Sequence, residues 1–477
     1  MAPMTRQSRV QALGGLICTV VAACSVGPTY HRPDIAPPTQ WREGPDATGG
    51  SPAAGSPAAA SPWPEAGWWH GFGSPQLDDL IAEAERNNDD LAGAIARVQE
   101  ADAQVRIAGA PLFPTLDLGA DATRERTVVP GSAPRIANIF NPQITASYEL
   151  DFWGKNRALR NAARATAIAS RYDQQTVALT VVRSVAGTYF QALEFLDRIQ
   201  VAQQNLENGQ KILRGLKLEQ SAGTVTGLDV AQQETAVALL EAAIPPLLQQ
   251  LRQSVYALAV LVGKTPESID VTSGSLTEIS SPAIAAGLPS QLLSRRPDVA
   301  EAEQQLSAAN ADITVARAAL FPDIALTASG GYESSRLASL ISPANRVYAL
   351  SAGLTQPIFH GGALHAQVSF SKARYTELLT TYHKTVLTAF SNVESALVAA
   401  RQTADQQERQ RNAVAKARRA FEFAQTQMSA GTVNVLTVLN TENALFSAQD
   451  VLVQVEYSHL QALIDLYTAL GGGWQQG

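Results

Sequence analysis

Period-two alternation of apolar and polar residues marks four stretches of the chain. Leu116, Leu118, Ala120 and Ala122 share one face, with Asp117, Asp121 and Thr123 on the other. Ile144, Ala146, Tyr148, Leu150 and Phe152 then alternate with Gln143, Thr145, Ser147, Glu149 and Asp151. The pattern returns at Ile324, Leu326, Ala328 and Tyr332, and again at Tyr348, Leu350, Ala352 and Leu354. Polar loops at 124–142 and 333–346 join each pair, so two hairpins are predicted. Helical stretches flank them. Residues 75–111 and 298–319 are rich in Ala, Glu and Gln, and each ends at Phe-Pro, where the proline disfavours helix in the residue before it. Ser74-Pro75 supplies a helix N-cap and a proline at the first helical position.

After each hairpin comes a proline-free run, 155–220 and 362–429, with apolar residues spaced by three and four, as in Val182, Val185, Tyr189, Leu193 and Leu196. Each would reach ~100 Å as a helix, far beyond the needs of a globular domain. Gly223 and Gly431 sit where a left-handed residue would end these helices. Antiparallel helices are predicted to return over 229–262 and 436–470, with Pro245-Pro246 expected to kink or break the first.

The order of elements repeats because the sequence repeats. Asp90–Pro114 aligns with Asp298–Pro322 at an offset of 208, including Leu112-Phe113-Pro114 with Leu320-Phe321-Pro322. At the same offset SAGTV (221–225) matches SAGTV (429–433), Leu228 and Val230 match Leu436 and Val438, and Gly263 falls on Gly471. The expected organisation is a first repeat over 75–263, a connector over 264–289, a second repeat over 290–471 and a tail, 472–477.

Composition narrows the setting. The 477 residues carry a net charge of −7, against the basic surface that nucleic-acid binders need. The single long apolar run, Ala12–Cys24, is too short to span a bilayer as a helix, which excludes a multi-helix membrane protein and leaves a β-barrel open. Arg6 and Arg9 precede Leu13–Ala23 with no acid among them, the layout of a secretory signal over 1–23. The run closes with VAAC (21–24), small residues ahead of a cysteine, as in bacterial lipoprotein signals. Cys24 is the expected lipid site, and removal of the signal takes the charge to −9. Residues 24–74 follow as a lipidated extension rich in Pro, Gly, Ser and Ala, either a tether or an extended wrap. With only Cys18 and Cys24 there is no disulfide framework and no cysteine metal site.

Four strands cannot close a barrel alone, and an open sheet in lipid would leave unpaired edges. Three copies would give twelve strands, with the long helices packed side by side as walls; the alternative on the residues alone is a soluble α+β protein whose strands form a small sheet. Seven strings in order then resemble outer-membrane efflux proteins, the TolC-like family, and within it the NodT-type lipoproteins of resistance-nodulation-division pumps. They are CSVGPTYHRP (24–33), WWHGFGSPQLDDLI (68–81), YELDFWGKNR (148–157), LPSQLLSRRPDVAEAE (288–303), ARAALFPDIALTAS (316–329), QPIFHGG (356–362) and LYTALGGGW (466–474). The resemblance implies a mostly α fold with a transmembrane β-barrel. It implies a homotrimer in the outer membrane whose twelve-stranded barrel continues as an α-helical periplasmic tunnel. It also implies partners: a periplasmic adaptor (membrane fusion) protein and an inner-membrane resistance-nodulation-division pump. The chain itself would be a passive export duct, with no cofactor and no enzymatic role.

By the same resemblance, the turns at Ser221–Leu228 and Ser429–Leu436 are periplasmic tips. Gly223, Thr224, Val225, Gly431, Thr432 and Val433 become candidate adaptor contacts, since an exposed turn kept in both repeats has little core-packing reason to recur; SAGTV is also simply a good tight turn, and the two readings are compatible. Family members commonly carry aspartates just after the second tip, ringing the entrance; here those positions are Thr437 and Asn440, while the first repeat keeps Asp229. Glu442 shares no helix face with Asn440 and is a poor substitute. A charge-based gate is therefore not expected. Catalytic signals are poor: Gly263-Lys264-Thr265 lacks the first glycine of a phosphate loop, and His360 and His365 do not have metal-site spacing. Two other readings compete, the outer-membrane end of a type I secretion system and a structural coiled-coil lipoprotein. The latter leaves the duplicated hairpins unexplained.

Overall fold

A computed structural model describes residues 26–42, 63–128, 130–131, 133–282 and 289–474. The signal segment 1–23, Cys24 and the stretch 43–62 lie outside the described residues. Helices dominate: α1 Pro75–Asn87, α2 Asp89–Gly109, α3 Lys155–Ser221, α4 Gly227–Leu261, α5 Pro297–Ala318, α6 Ala363–Ser429 and α7 Val435–Ala469. Strands β1 Thr115–Thr127, β2 Arg135–Glu149, β3 Asp323–Tyr332 and β4 Arg346–Thr355 form one antiparallel sheet in sequence order. None of the described helices is long and apolar enough to cross a membrane.

Two compact units divide the chain. The first contains residues 26–34, 97–171 and 301–383, and therefore the whole sheet. Its register sorts side chains by chemistry. Leu116 faces Ala146, Leu118 faces Ile144, Ala146 faces Ala328, Tyr148 faces Leu326 and Ala328 faces Leu350. On the other face Asp117 meets Thr145, Asp121 meets Asn141 and Thr327 meets Ser351. One side is a continuous apolar surface and the other is polar, as a lipid-facing and lumen-facing wall requires. The apolar side is bare: Leu118 and Leu350 are each 78% exposed.

The first hairpin is longer than its alternation suggested. Pairing continues through Thr127↔Arg135, across residues read from sequence as loop. Backbone hydrogen bonding does not require an apolar face: the β1 extension is polar, and the β2 extension carries Ile136, Ile139 and Phe140 out of strict alternation, so neither gives the period-two signal. At the base of β2, Asp151 accepts hydrogen bonds from the backbone N–H of Asn156 and Arg157, capping α3. Trp153 stacks on Phe321 at 4.6 Å and donates to the Pro322 carbonyl at 2.8 Å. At the base of β4 the corresponding Ile358 and Phe359 are 88% and 86% exposed.

The N-terminal segment packs onto this unit. Asn310 donates to the Pro28 carbonyl at 3.1 Å and Arg317 to that of Val26 at 3.4 Å. Gly27 lies so close that a Cβ would collide with the Thr314 side chain.

The second unit contains residues 35–96, 172–300 and 384–474. Its core gathers Phe72, Phe190, Leu193, Leu258 and Ile464, with Trp68 stacked on Tyr467 at 4.7 Å. The helix expected over 75–111 is interrupted at Asn88, whose backbone is extended. Its side chain accepts from Leu91 N–H and donates to the Leu261 carbonyl, capping one helix while binding the end of another. Asn competes for backbone groups in this way, and no apolar periodicity reports it. Of the kink or break expected at Pro245-Pro246, the break does not occur: the returning helix runs through both. Buried Leu240 and Leu247 on either side hold it in place against the local cost of two missing N–H donors.

Candidate functional site

The two helix-pair turns lie in the second unit and are brought together by packing. Leu216, Val230, Val435 and Leu439 form one buried cluster, with Val225 and Met428 against it. Each long helix ends in the same way. Gly223 (φ 78°) and Gly431 (φ 70°) take the left-handed conformation. Gly223 N–H donates to the Gln220 carbonyl and Thr224 N–H to that of Glu219. Gly431 and Thr432 repeat this onto Met428 and Gln427. This pair of bonds is the Schellman arrangement, which satisfies carbonyls the helix leaves open. The Thr224 and Thr432 hydroxyls add a bond to the same Glu219 and Gln427 carbonyls, each at 2.9 Å. Ser221 and Ser429 bond backward to Leu218 and Thr426.

The SAGTV repeat thus has a structural reason to recur, as the tight-turn reading of the motif expects, and capping does not conflict with a contact role. Serine, glycine and threonine cap the helix, and Val225 packs on the shared cluster. The exposed apolar residues at the turns are instead Leu228, 67% exposed, and Leu436, 49% exposed. Their match at the common offset of 208 was visible in the sequence. Their exposure was not, because helical spacing alone does not say which apolar residue faces out.

The start of each returning helix differs between repeats. Thr226 caps α4, and Asp229 Oδ2 accepts from the Thr226 N–H at 2.8 Å and from its hydroxyl at 2.6 Å. These bonds hold the Asp229 carboxyl below its ordinary pKa. In the second repeat Asn434 caps α7, accepting from Thr437 N–H at 3.2 Å and from its hydroxyl at 3.0 Å. In the first repeat cap and third residue each accept from the other, whereas in the second the cap side chain is the acceptor for both Thr437 groups, so Thr437 needs no carboxylate. Asn440 is exposed on the first turns of α7. Glu442, two residues on, points inward and is 4% exposed. Cys24 lies outside the described residues.

A sheet with one bare apolar face, followed by paired helices of 67 and 35 residues, defines a class: a subunit of an outer-membrane channel. The model of the outer membrane efflux protein family matches the chain twice, at residues 80–264 and 288–472, and the chain belongs to that family. It is 40% identical over 461 residues to the pyoverdine export outer membrane protein OpmQ of Pseudomonas putida, covering 95% of each chain. It is 32% identical to the cation efflux system protein CusC of Escherichia coli, over 96% of this chain and 98% of that one. The fold superposes on the outer-membrane channel OprN with a TM-score of 0.88 at 27% identity, covering 95% of this chain and all of that one. The protein is an efflux channel component of the outer membrane.

Proposed function

We propose that three copies of this chain close a twelve-stranded barrel and conduct solutes delivered by an inner-membrane pump through a periplasmic adaptor. The observation that carries this reading is the quasi-equivalence of the two sheet edges. Within the chain, β2 of the first repeat pairs with β3 of the second, placing Glu149 opposite Ala325 and Gln143 opposite Gly331. The offset of 208 carries Ala325 onto Asp117 and Gly331 onto Thr123. Aligning Asp151-Phe152-Trp153 with Pro357-Ile358-Phe359 carries Glu149 onto Thr355. The free edge β4 should therefore meet β1 of the next copy with Thr355 opposite Asp117 and Ala349 opposite Thr123. That register keeps Leu350 beside Ala122 and Leu354 beside Leu118 on the apolar side. It also sets Phe359 over the next copy's Phe113, which is 70% exposed, as Trp153 sits over Phe321 within the chain. Two copies would give eight strands, a barrel whose interior side chains fill; three leave a lumen.

Introducing cysteines at Thr123 and Ala349 tests it. Mild oxidation of membranes should give a ladder ending at three copies. A ladder ending at two, or none from protein that reaches the outer membrane, would falsify the closure. Phe359→Ala should lower trimer yield while leaving the isolated chain's helicity unchanged.

Lipidation of Cys24 is supported by the grip of Arg317 on Val26, six residues before β3 begins, which holds the N-terminal segment beside a strand entering the membrane. Cys24→Ser should abolish palmitate labelling. Adaptor binding is assigned to the two turns, with Leu228 and Leu436 as the exposed apolar contacts and the Gly-Thr-Val residues shaping them. Leu228→Asp with Leu436→Asp should cut efflux and adaptor cross-linking with trimers intact. Cargo is selected upstream; the 40% identity to a pyoverdine export protein makes a siderophore the first cargo to test.

A further inference from the structure

Deep in the second unit, a few turns from the helix-pair turns, two side chains meet whose hydrogen bonding is incomplete. Glu442 on α7 is 4% exposed and Gln233 on α4 is fully buried. The Gln233 amide donates through Nε2 to the Gly209 carbonyl of α3 at 2.9 Å, which fixes its orientation and leaves its Oε1 without a partner. Glu442 Oε1 is also buried without a partner. Each buried unpartnered acceptor is costly, and an ionised carboxylate at that burial is costlier still. A proton on Glu442 removes that buried charge. No charged side chain of α3, α4, α6 or α7 contributes to the shift at Glu442; burial raises its carboxyl and outweighs the Gln233 side chain, whose hydrogen bonding favours the ionised form. The closest described pair in sequence, Glu234 with Lys217, bridges at the half-exposed surface at 2.8 Å. The equivalent position in the first repeat is thus a surface ion pair, and only the second repeat turns its glutamate inward.

We propose that Glu442 is a proton-operated latch: protonated, it holds α7 against α4 beside the channel entrance, and ionised, it loosens that contact. Burial pushes its carboxyl up to about 7 from an ordinary value of 4.5. A group raised in this way stabilises the packed state fully below its ordinary value, and the stabilisation is lost as pH rises through about 7. Acid in the periplasm therefore tightens the entrance and neutrality frees it. Asp229 does not duplicate this response, since its capping bonds push its carboxyl downward. The role of these turns as the entrance rests on the channel reading above; the proton latch itself is a property of the α4–α7 contact.

Hydrogen exchange on the intact, unsubstituted protein separates the two. Corrected for intrinsic rates, amides in 435–445 should exchange about tenfold or more slowly at about pH 5.5 than at about pH 8. Those in the core around Leu258 should show no such change. Glu442→Gln, neutral at every pH, should hold the slow rate throughout, and its channels should lack the acid-dependent fall in conductance expected of the unsubstituted protein. Protection that is flat with pH in the unsubstituted protein would overturn the latch. So would a Glu442→Gln protein that keeps the pH dependence. Exchange that follows the prediction in a protein forming no channels would leave the latch standing and overturn the channel reading instead.

Discussion

The helix pairs end in glycine at both of their extremities, yet the two ends obey different constraints. At the turns, Gly223 and Gly431 have positive φ and open space where a Cβ would point. At the opposite end, Gly263 and Gly471 also have positive φ, but a Cβ would land on the carbonyl of Asn87 or Arg295. Those two contacts are again related by the offset of 208. At the turns glycine is needed only for backbone conformation, and the surface is left free. At the far end it is needed for conformation and for close approach, and the chain is locked to the preceding helix. The same residue type at the same kind of helix terminus thus marks a rigid joint in one place and a presented surface in the other.

Substitution separates these roles. Gly263→Ala and Gly471→Ala combine left-handed strain with collision against backbone and should cost about 3 kcal/mol each, read as loss of folded protein in denaturant titration. Gly223→Ala and Gly431→Ala carry the strain alone and should cost about 1 kcal/mol, with the assembled protein still recovered. Equal losses at the two ends would break the contrast. Between the two turns, Asn434→Ala should cost about 1 kcal/mol as a lost cap. Thr437→Asp with Asn440→Asp should bring carboxylates to the entrance and create block by multivalent cations that weakens as salt rises. Strong block before substitution would reveal an entrance charge elsewhere. The smallest effect is in pH. Because the Asp229 carboxyl is depressed, its capping bonds stabilise above the ordinary carboxylate range and are lost as pH falls through the lowered value. Amide protection at 226–230 should therefore weaken in acid, whereas 434–437, capped by an amide, should not follow it.

Much of this was legible in the residues. The 208-residue offset, the four alternating stretches and the glycine-closed helices are local or periodic features, and each became the expected element. The first and last residues of the long helices were close to those predicted because proline, glycine and capping residues act through their own backbone. Function as an efflux channel was legible too, through strings spread along the whole chain rather than through any one site. The break at Asn88 escaped, since its reason is a carbonyl 173 residues away. So did the outer half of the first hairpin, whose pairing is not marked by strict alternation.

The candidate site shows the division most clearly. SAGTV was recognisable as a repeated motif, but its residues look identical whether they cap a helix or contact a partner. Only the bonds of Gly223, Thr224, Gly431 and Thr432 assign the capping role, and only exposure singles out Leu228 and Leu436. Glu234 and Glu442 occupy equivalent positions in the two repeats. Yet one pairs with Lys217 at the surface and the other is buried against Gln233 without a charge to meet it. A sequence determines which backbone conformations and periodic faces are available, because those depend on near neighbours. Which of two equivalent faces is buried depends on what the other repeat brings against it, and that is decided only when distant segments pack.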